Sequence, residues 1–205
     1  MDASSQQVQA DWAGELEPPL HVVPELDHDP RALARALAGD GKAFAQLMAP
    51  HMDRAFRLAV RVTRDRALAE DAVQEALVVL HRDLKNFRSG TSVRAFLCGT
   101  TLRVASTLLR SARRRTAREL VTAPPHAFAD PEAAAQAREL EAALADALAS
   151  LPDRRREAVL LRLDADLSHA EIATVLGTTE AAARQLVYEA QKALRAALAS
   201  RLEAR

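Results

Sequence analysis

The sequence predicts an all-α fold of two small helical domains joined by a flexible linker, with a helix-turn-helix in the second domain. Hydrophobic residues make up 49% of the chain and aromatic residues only 3%, and the abundant Ala and Leu favour helices over strands. Apolar residues recur every three or four positions through several long stretches, which is the period of an amphipathic helix. Proline-rich segments separate these stretches and mark the ends of the domains.

Residues 1–30 are expected to form a flexible acidic tail. They contain seven carboxylates, four prolines and no Lys or Arg. A segment of this composition buries too little apolar surface to offset the entropy that folding would cost.

A first helical domain is predicted over residues 31–119. Its helices are expected at 31–38, at 41–63 with a break near Pro50, at 66–85 and at 92–118. Asp65 and Ser92 are suited to cap the third and fourth helices, because their side-chain oxygens can accept hydrogen bonds from free N–H groups of the first turn. Ser89 and Gly90 are expected to form the turn between those two helices.

A linker is predicted over residues 120–138 and a second helical domain over residues 139–205. Pro124, Pro125 and Pro131 mark the linker. An Ala-, Glu- and Leu-rich helix is expected at 132–150, and further helices are expected at about 153–164, 168–176 and 179–202. Pro152 suits the first turn of the helix that follows it.

The helices at 168–176 and 179–202 have the outline of a helix-turn-helix, whose second helix commonly lies in the major groove of DNA. Ser168 and Glu171 form a capping-box pattern, and Gly177 allows the left-handed backbone that ends the first helix. Thr178 or Thr179 can cap the second helix.

Apolar positions in this motif predict which sides of the two helices are buried. They are Ala170, Ile172, Ala173 and Leu176 in the first helix and Ala183, Leu186, Val187, Ala190 and Leu194 in the second. A polar stripe then faces outward, formed by Arg184, Gln185, Tyr188 and Lys192. This stripe either contacts DNA or is simply solvated, and the motif alone leaves both interpretations open.

The net charge of zero conceals a strong asymmetry along the chain. Residues 31–122 carry eighteen basic and eight acidic residues, whereas residues 123–151 carry one basic and five acidic residues. From Arg103 onward the long 92–118 helix holds six arginines, namely Arg103, Arg110, Arg113, Arg114, Arg115 and Arg118. Six arginines exceed what the helix dipole requires, and they favour binding to a polyanion.

An acidic and polar face is predicted on the helix at 66–85. Asp71, Gln74, Glu75 and Val78 lie three or four positions apart and therefore share one side of the helix. On a basic domain this face is suited to a basic partner protein, although an ordinary solvated helix face has the same pattern.

The sequence contains no group of residues typical of an enzyme or a metalloprotein. Cys98 is the single cysteine, the six histidines are scattered, and neither a Gly-rich phosphate loop nor a nucleophile beside a base is present. No catalytic residue, metal ligand or cofactor is therefore expected. No apolar run is long enough to cross a bilayer and no secretory signal is recognisable, so we expect a cytoplasmic protein without membrane insertion.

Taken together, two stretches resemble the extracytoplasmic-function sigma factors, the two-domain promoter-recognition subunits of bacterial RNA polymerase. The first is AFAQLMAPHMDRAFRLAVRVTRDRALAEDAVQEALVVLHR at 43–82, where Asp71, Gln74 and Glu75 match the family's DxxQE pattern. The second is LASLPDRRREAVLLRLDADLSHAEIATVLG at 148–177. The two stretches occur in the family's order on either side of a Pro-rich acidic linker, and the resemblance covers about residues 31–200.

The resemblance implies a transcription initiation factor that binds core RNA polymerase and directs it to promoter DNA, without bond chemistry of its own. The polymerase would be bound by Asp71, Gln74, Glu75 and Val78. The minus-ten element would be contacted by Phe96, Arg103, Arg110, Arg113, Arg114 and Arg115, and the minus-thirty-five element by Thr179, Arg184, Gln185, Tyr188 and Lys192. Family members are often held inactive by an anti-sigma factor, which is therefore a candidate further partner.

The second helix of the helix-turn-helix departs from the family pattern. Leu186, Glu189 and Gln191 occupy positions that are basic in the family, and Glu189 is expected to repel a nearby phosphate. The alternative function is thus a divergent sigma-like regulator that binds polymerase or another protein without sequence-specific promoter reading.

The opposite charges of the acidic tail and the 92–118 helix raise the hypothesis that the tail folds back on this helix and competes with DNA. Deletion of residues 1–30 should then tighten DNA binding at low salt, as measured by fluorescence anisotropy. An unchanged affinity at low salt would instead identify the tail as a solvated extension.

Overall fold

The computed structural model describes residues 29–119, apart from 88–91, and residues 133–203. All regular secondary structure in these ranges is helical, and they contain no strand. The predicted all-α class is therefore confirmed. Most of the acidic tail, the Ser89–Gly90 turn and residues 120–132 of the linker lie outside the described residues.

Five helices form the described part of the first domain. They are α1 (Pro30–Leu37), α2 (Gly41–Met48), α3 (Met52–Thr63), α4 (Arg66–Asp83) and α5 (Val93–Glu119), with short 3-10 turns at Ala49–His51 and Leu84–Asn86. Pro50 lies in the first of these turns and separates α2 from α3, as predicted. The predicted caps are confirmed, because Asp65 accepts from the Leu68 N–H (3.1 Å) and Ser92 from the Ala95 N–H (3.0 Å).

Four helices form the described part of the second domain. They are α6 (Ala133–Ser150), α7 (Asp153–Leu163), α8 (His169–Leu176) and α9 (Glu180–Glu203). The first turns of α6 fall within the range assigned to the linker. Ser168 and Glu171 form the predicted capping box at the start of α8, and Gly177 ends α8 in the left-handed conformation, with φ 62° and ψ 48°.

Each domain has a core of aliphatic side chains between its helices. Leu58, Leu80 and Leu97 are fully buried where α3, α4 and α5 pack together. In the second domain α7 and α8 pack on α9, and the predicted apolar side of α9 is buried or half-buried. Ala170 is exposed, so its predicted burial is wrong, because it lies past the edge of the buried side of α8.

The two domains also pack against each other, through α5 with α7 and α8 and through α3 with α7. Every described ion pair between them joins an arginine of the first domain to a carboxylate of the second. These pairs are Arg54–Asp166 (3.9 Å), Arg61–Asp164 (3.4 Å), Arg64–Asp146 (3.8 Å), Arg94–Asp166 (3.9 Å) and Arg94–Glu171 (3.3 Å). The sequence pattern predicts a tether between the domains but does not predict this contact.

Gly99 lies where α5 and α8 approach each other closely. A Cβ atom added at Gly99 would lie 2.9 Å from Cγ1 and 3.0 Å from Cγ2 of Val175. Both Val175 methyl groups would therefore crowd the added Cβ. Rotation of Val175 to another staggered rotamer would move only one methyl group away, because two of the three staggered sites lie close to the added Cβ. The missing side chain at Gly99 therefore allows the two domains to pack at this distance.

A double-mutant cycle tests the close approach of Gly99 and Val175. Ala is intrinsically favoured over Gly in a helix by about 1 kcal/mol, so the sign of the single Gly99→Ala effect is not decisive. We expect the change in the free energy of unfolding caused by Gly99→Ala to be less favourable in the wild-type chain than in the Val175→Ala variant. The difference between the two changes should be about 1 kcal/mol or more. Urea unfolding of the four proteins gives this coupling energy, and a value near zero would contradict the packing described.

Candidate nucleic-acid and protein interfaces

The predicted protein-binding residues Asp71, Gln74, Glu75 and Val78 lie together on the exposed side of α4. Val78 is 70% exposed, although it is a large apolar residue. The buried side of α4 is formed by Ala69, Ala72, Val73, Ala76 and Leu80. An exposed apolar side chain beside two carboxylates and an amide is suited to a protein interface, which typically has an apolar centre and a polar rim.

The arginines of α5 form an exposed basic surface. Arg103, Arg110, Arg113 and Arg114 are exposed, whereas the side chain of Arg115 lies outside the described residues. Arg103 and Arg110 donate to the hydroxyls of Thr100 and Thr107, each at 3.2 Å. These arginines are accessible to phosphate groups.

Phe96, also predicted to contact nucleic acid, is half-buried near the start of α5. Its ring packs against Phe87, with ring centroids 5.3 Å apart and planes inclined by 60°. Only part of the Phe96 ring is therefore available for stacking on a base.

The predicted polar stripe of α9 is exposed as a single surface. Arg184, Gln185, Tyr188 and Lys192 are all exposed, and Tyr188 is 59% exposed. Thr179 is the cap of α9, since its hydroxyl accepts from the Ala182 N–H (3.2 Å). This arrangement presents a guanidinium, an amide and an aromatic ring on one side of the helix, and guanidinium and amide groups are able to pair with base edges.

Two of these side chains are held by carboxylates one turn away on α9. Arg184 pairs with Glu180 (3.3 Å), and Nε2 of Gln185 donates to Oε1 of Glu189 (2.8 Å). The other carboxylate oxygen of Glu189 pairs with Arg155 of α7. Arg155 was not among the predicted site residues, because the sequence pattern does not indicate which residue of α7 lies next to α9.

Three further arginines of α7 fix the frame of the helix-turn-helix. Arg154 donates to the Leu176 carbonyl at the end of α8 (2.6 Å), and Arg162 donates to the Leu167 carbonyl before its start (2.9 Å). Arg156 donates to the Leu151 carbonyl (3.1 Å). The first two charge-assisted hydrogen bonds hold the two ends of α8 against α7, and the third stabilises the turn between α6 and α7.

Glu171 connects the helix-turn-helix to the first domain. Its carboxylate accepts hydrogen bonds from the Ser168 N–H (2.7 Å), from the Ser92 hydroxyl and from Arg94 (3.3 Å). Burial alone would raise the pKa of Glu171, but the hydrogen bonds from Ser92 and Ser168 and the charge of Arg94 outweigh it, and the pKa lies below the ordinary value of 4.5. The arrangement therefore favours the ionised carboxylate.

The described residues contain no group of three or more His, Cys, Asp or Glu side chains placed to hold a metal ion. Burial raises the pKa of the Cys98 thiol to about 12, so this thiol is not a nucleophile at neutral pH. Among the described helices, none is both long and apolar enough to span a bilayer.

Comparison with known proteins assigns both domains. The family model of sigma-70 region 2 matches residues 47–115, which include α4 and most of α5, and that of sigma-70 region 4 matches residues 141–194, which include α7 and α8. The RNA polymerase sigma-H factor of Pseudomonas aeruginosa is 30% identical to the chain, and the match covers 84% of the chain and 94% of that protein. The ECF RNA polymerase sigma factor SigM of Mycobacterium tuberculosis is 31% identical, with 80% and 85% covered.

A solved structure, that of CnrH in complex with the cytosolic domain of CnrY, has a similar fold. It superposes with a TM-score of 0.61 at 25% sequence identity, and the match covers 83% of this chain and 96% of that one. Two helical domains that match sigma-70 regions 2 and 4 define a sigma factor of bacterial RNA polymerase. The chain belongs to the extracytoplasmic-function family of these transcription initiation factors, and the family prediction is confirmed.

The low pKa of Glu171 predicts an acid-labile contribution to stability. At pH values above 4.5 the ionised carboxylate stabilises the fold, and this stabilisation is lost as pH falls through the lowered pKa of the folded state. Glu171→Gln should lower the free energy of unfolding at neutral pH by about 1–3 kcal/mol. The difference between the two proteins should shrink as pH falls below 4.5, as measured by urea unfolding.

Glu157→Gln is the matched control for this measurement. Burial raises the pKa of Glu157 above 4.5, so its ionisation opposes folding as pH rises. As pH falls, the stability of the wild type relative to Glu157→Gln should therefore rise, whereas its stability relative to Glu171→Gln should fall. The same pH trend in both variants would contradict the assignment to Glu171.

Proposed function

We propose that this sigma factor binds core RNA polymerase through the exposed face of α4, and that α5 and α9 contact the minus-ten and minus-thirty-five elements of promoters. The observation that carries the proposal is the exposed Val78 beside Asp71, Gln74 and Glu75, within the segment that matches sigma-70 region 2. Val78 supplies an apolar centre among polar side chains, which is the composition that protein interfaces share.

The charge of the α4 face supports a basic partner surface on the polymerase. Asp71 and Glu75 place two carboxylates beside Val78 on a domain that is otherwise strongly basic. Such complementarity fixes the orientation of docking and disfavours binding to the acidic DNA backbone at this face.

The exposed arginines of α5 and the stripe of α9 support contacts to DNA. Arg103, Arg110, Arg113 and Arg114 can neutralise phosphates, which supplies affinity independent of sequence. Arg184 and Gln185 carry the donors and the acceptor that read base edges in the major groove. Affinity and specificity would thus come from different helices.

We further propose that the protein acts without bond chemistry of its own, without a cofactor, and in the cytoplasm, where polymerase and chromosome meet. The sigma factor RpoE, which has a similar fold, has been solved in complex with the anti-sigma factor NepR from Bartonella quintana. An anti-sigma factor is accordingly a proposed partner of this chain.

The second candidate is a regulator that binds polymerase without reading promoters. Leu186, Glu189 and Gln191 favour it, because they remove basic side chains from the helix that would face DNA. Run-off transcription with purified core polymerase separates the two candidates. Transcripts from defined start sites support promoter reading, and polymerase binding without such transcripts supports the second candidate.

The double variant Asp71→Ala/Glu75→Ala tests the α4 interface. Both side chains are exposed, so the melting temperature should change little. Affinity for core polymerase should fall by at least about tenfold, because basic groups of the partner would lose their counter-charges in a desolvated interface. Copurification and surface plasmon resonance measure this loss.

Asp83→Ala serves as the control for the charge of α4. Asp83 is a carboxylate of the same helix that pairs with Arg82 (3.2 Å), and it lies more than one helical turn beyond Val78. It should leave polymerase affinity within about twofold of the wild type, consistent with the small energies of exposed pairs. Unchanged affinity of the double variant would remove the α4 face from the proposal.

A further inference from the structure

Gln185 is part of a chain of three side chains that runs from α7 to the exposed surface of α9. Arg155 of α7 pairs with Oε2 of Glu189, and Oε1 of Glu189 accepts from Nε2 of Gln185 (2.8 Å). Arg155 is 40% exposed and Glu189 33% exposed, so this pair is half-buried and bridges α7 and α9. We infer that Glu189, held by Arg155, is a positioning residue that fixes the amide of Gln185 for reading a base, an inference that rests on the proposed function of α9.

The chemistry of the amide gives the contact its directional effect. An ionised carboxylate only accepts hydrogen bonds, so the amide nitrogen of Gln185 must face Glu189 and the amide oxygen must point elsewhere. A glutamine without such a partner can turn its amide over and exchange donor for acceptor. Glu189 therefore selects one of two amide orientations.

Arg155 makes this selection effective. It holds the second oxygen of Glu189 from a separate helix, and α7 packs directly against α9. Because Arg155 holds Glu189 and Glu189 holds Gln185, these side chains lose little further freedom when Gln185 binds DNA. The entropic cost of recognition is lower for this reason. The positive charge of Arg155 also offsets the repulsion between Glu189 and phosphates.

The fixed orientation defines which bases Gln185 prefers. Its outward amide oxygen accepts a hydrogen bond, and in the major groove the base donors are the amino groups of adenine and cytosine. The second amide N–H of Gln185 remains available for the N7 acceptor of adenine. The geometry therefore favours adenine, then cytosine, over guanine and thymine at the base pair that Gln185 contacts.

The test uses the full chain with core polymerase on a promoter library randomised in the minus-thirty-five element, read by sequencing of transcripts. Gln185→Ala first identifies the contacted position as the one where base preference falls, by about fivefold to a hundredfold. Glu189→Gln should then lower the preference at that same position, because the new amide no longer dictates the orientation of Gln185. Affinity for all promoters should rise, since a negative charge near DNA is removed.

Arg155→Met provides the opposite change of charge. It releases Glu189 while keeping a long apolar side chain, so the preference at the Gln185 position should again fall. Overall affinity should decrease in this case, because Glu189 loses its counter-charge. Loss of preference in both variants, with affinity moving in opposite directions, is the result expected of a positioning pair and not of a general electrostatic or folding effect.

Glu180→Gln is the matched control, because Glu180 holds Arg184 one turn away on the same helix in a pair that is more than half exposed. It makes the same change of charge and should leave the preference at the Gln185 position intact. If Glu189→Gln keeps the wild-type preference at that position, the positioning role is wrong while promoter reading stands. If the wild type shows no preference that depends on Gln185, the inference fails together with base reading by this residue.

Discussion

The carboxylate of Glu171 joins the start of α8 to the start of α5. It accepts from the Ser168 N–H at one helix and from the Ser92 hydroxyl at the other, while the same Ser92 oxygen accepts from the Ala95 N–H (3.0 Å) and so caps α5. Helix N-termini favour negative charge, so the carboxylate is stabilised by the ends of both helices as well as by Arg94. The relative orientation of the two domains depends on this charge, together with the close packing that Gly99 allows.

Charge is divided between the domains in a way that serves both the fold and the surface. Arginines of α3 and of the start of α5 face carboxylates of the second domain, whereas Arg103, Arg110, Arg113 and Arg114, farther along α5, are exposed. Part of the basic excess of the first domain thus holds the second domain, and part is available to phosphates. Salt weakens both the attraction between the domains and the attraction to phosphates, although the half-buried ion pairs are screened less than the exposed arginines.

Local signals predicted the helices and their ends, because capping and turn formation depend on residues close in sequence. Asp65, Ser92 and the Ser168–Glu171 box cap the helices they were assigned to, and Gly177 ends α8. Periodicity also predicted the buried side of most helices, but it does not specify what a buried side packs against. The contact between Glu171 and Ser92 and the fit of Gly99 to Val175 join residues far apart in sequence, and no local pattern indicated either.

Glu189 is a further residue whose role depends on a contact between helices that no local sequence pattern indicates. Its place on α9 was predictable, and a carboxylate there suggests repulsion from DNA, but the cation of Arg155 lies on another helix and changes that balance. Considered one at a time, Leu186, Glu189 and Gln191 remove phosphate contacts. Considered with Arg155 and Gln185, Glu189 instead contributes to a fixed hydrogen-bonding surface. Since phosphate contacts carry no sequence information, a helix that has fewer of them and a more rigid amide depends to a greater extent on the bases it reads.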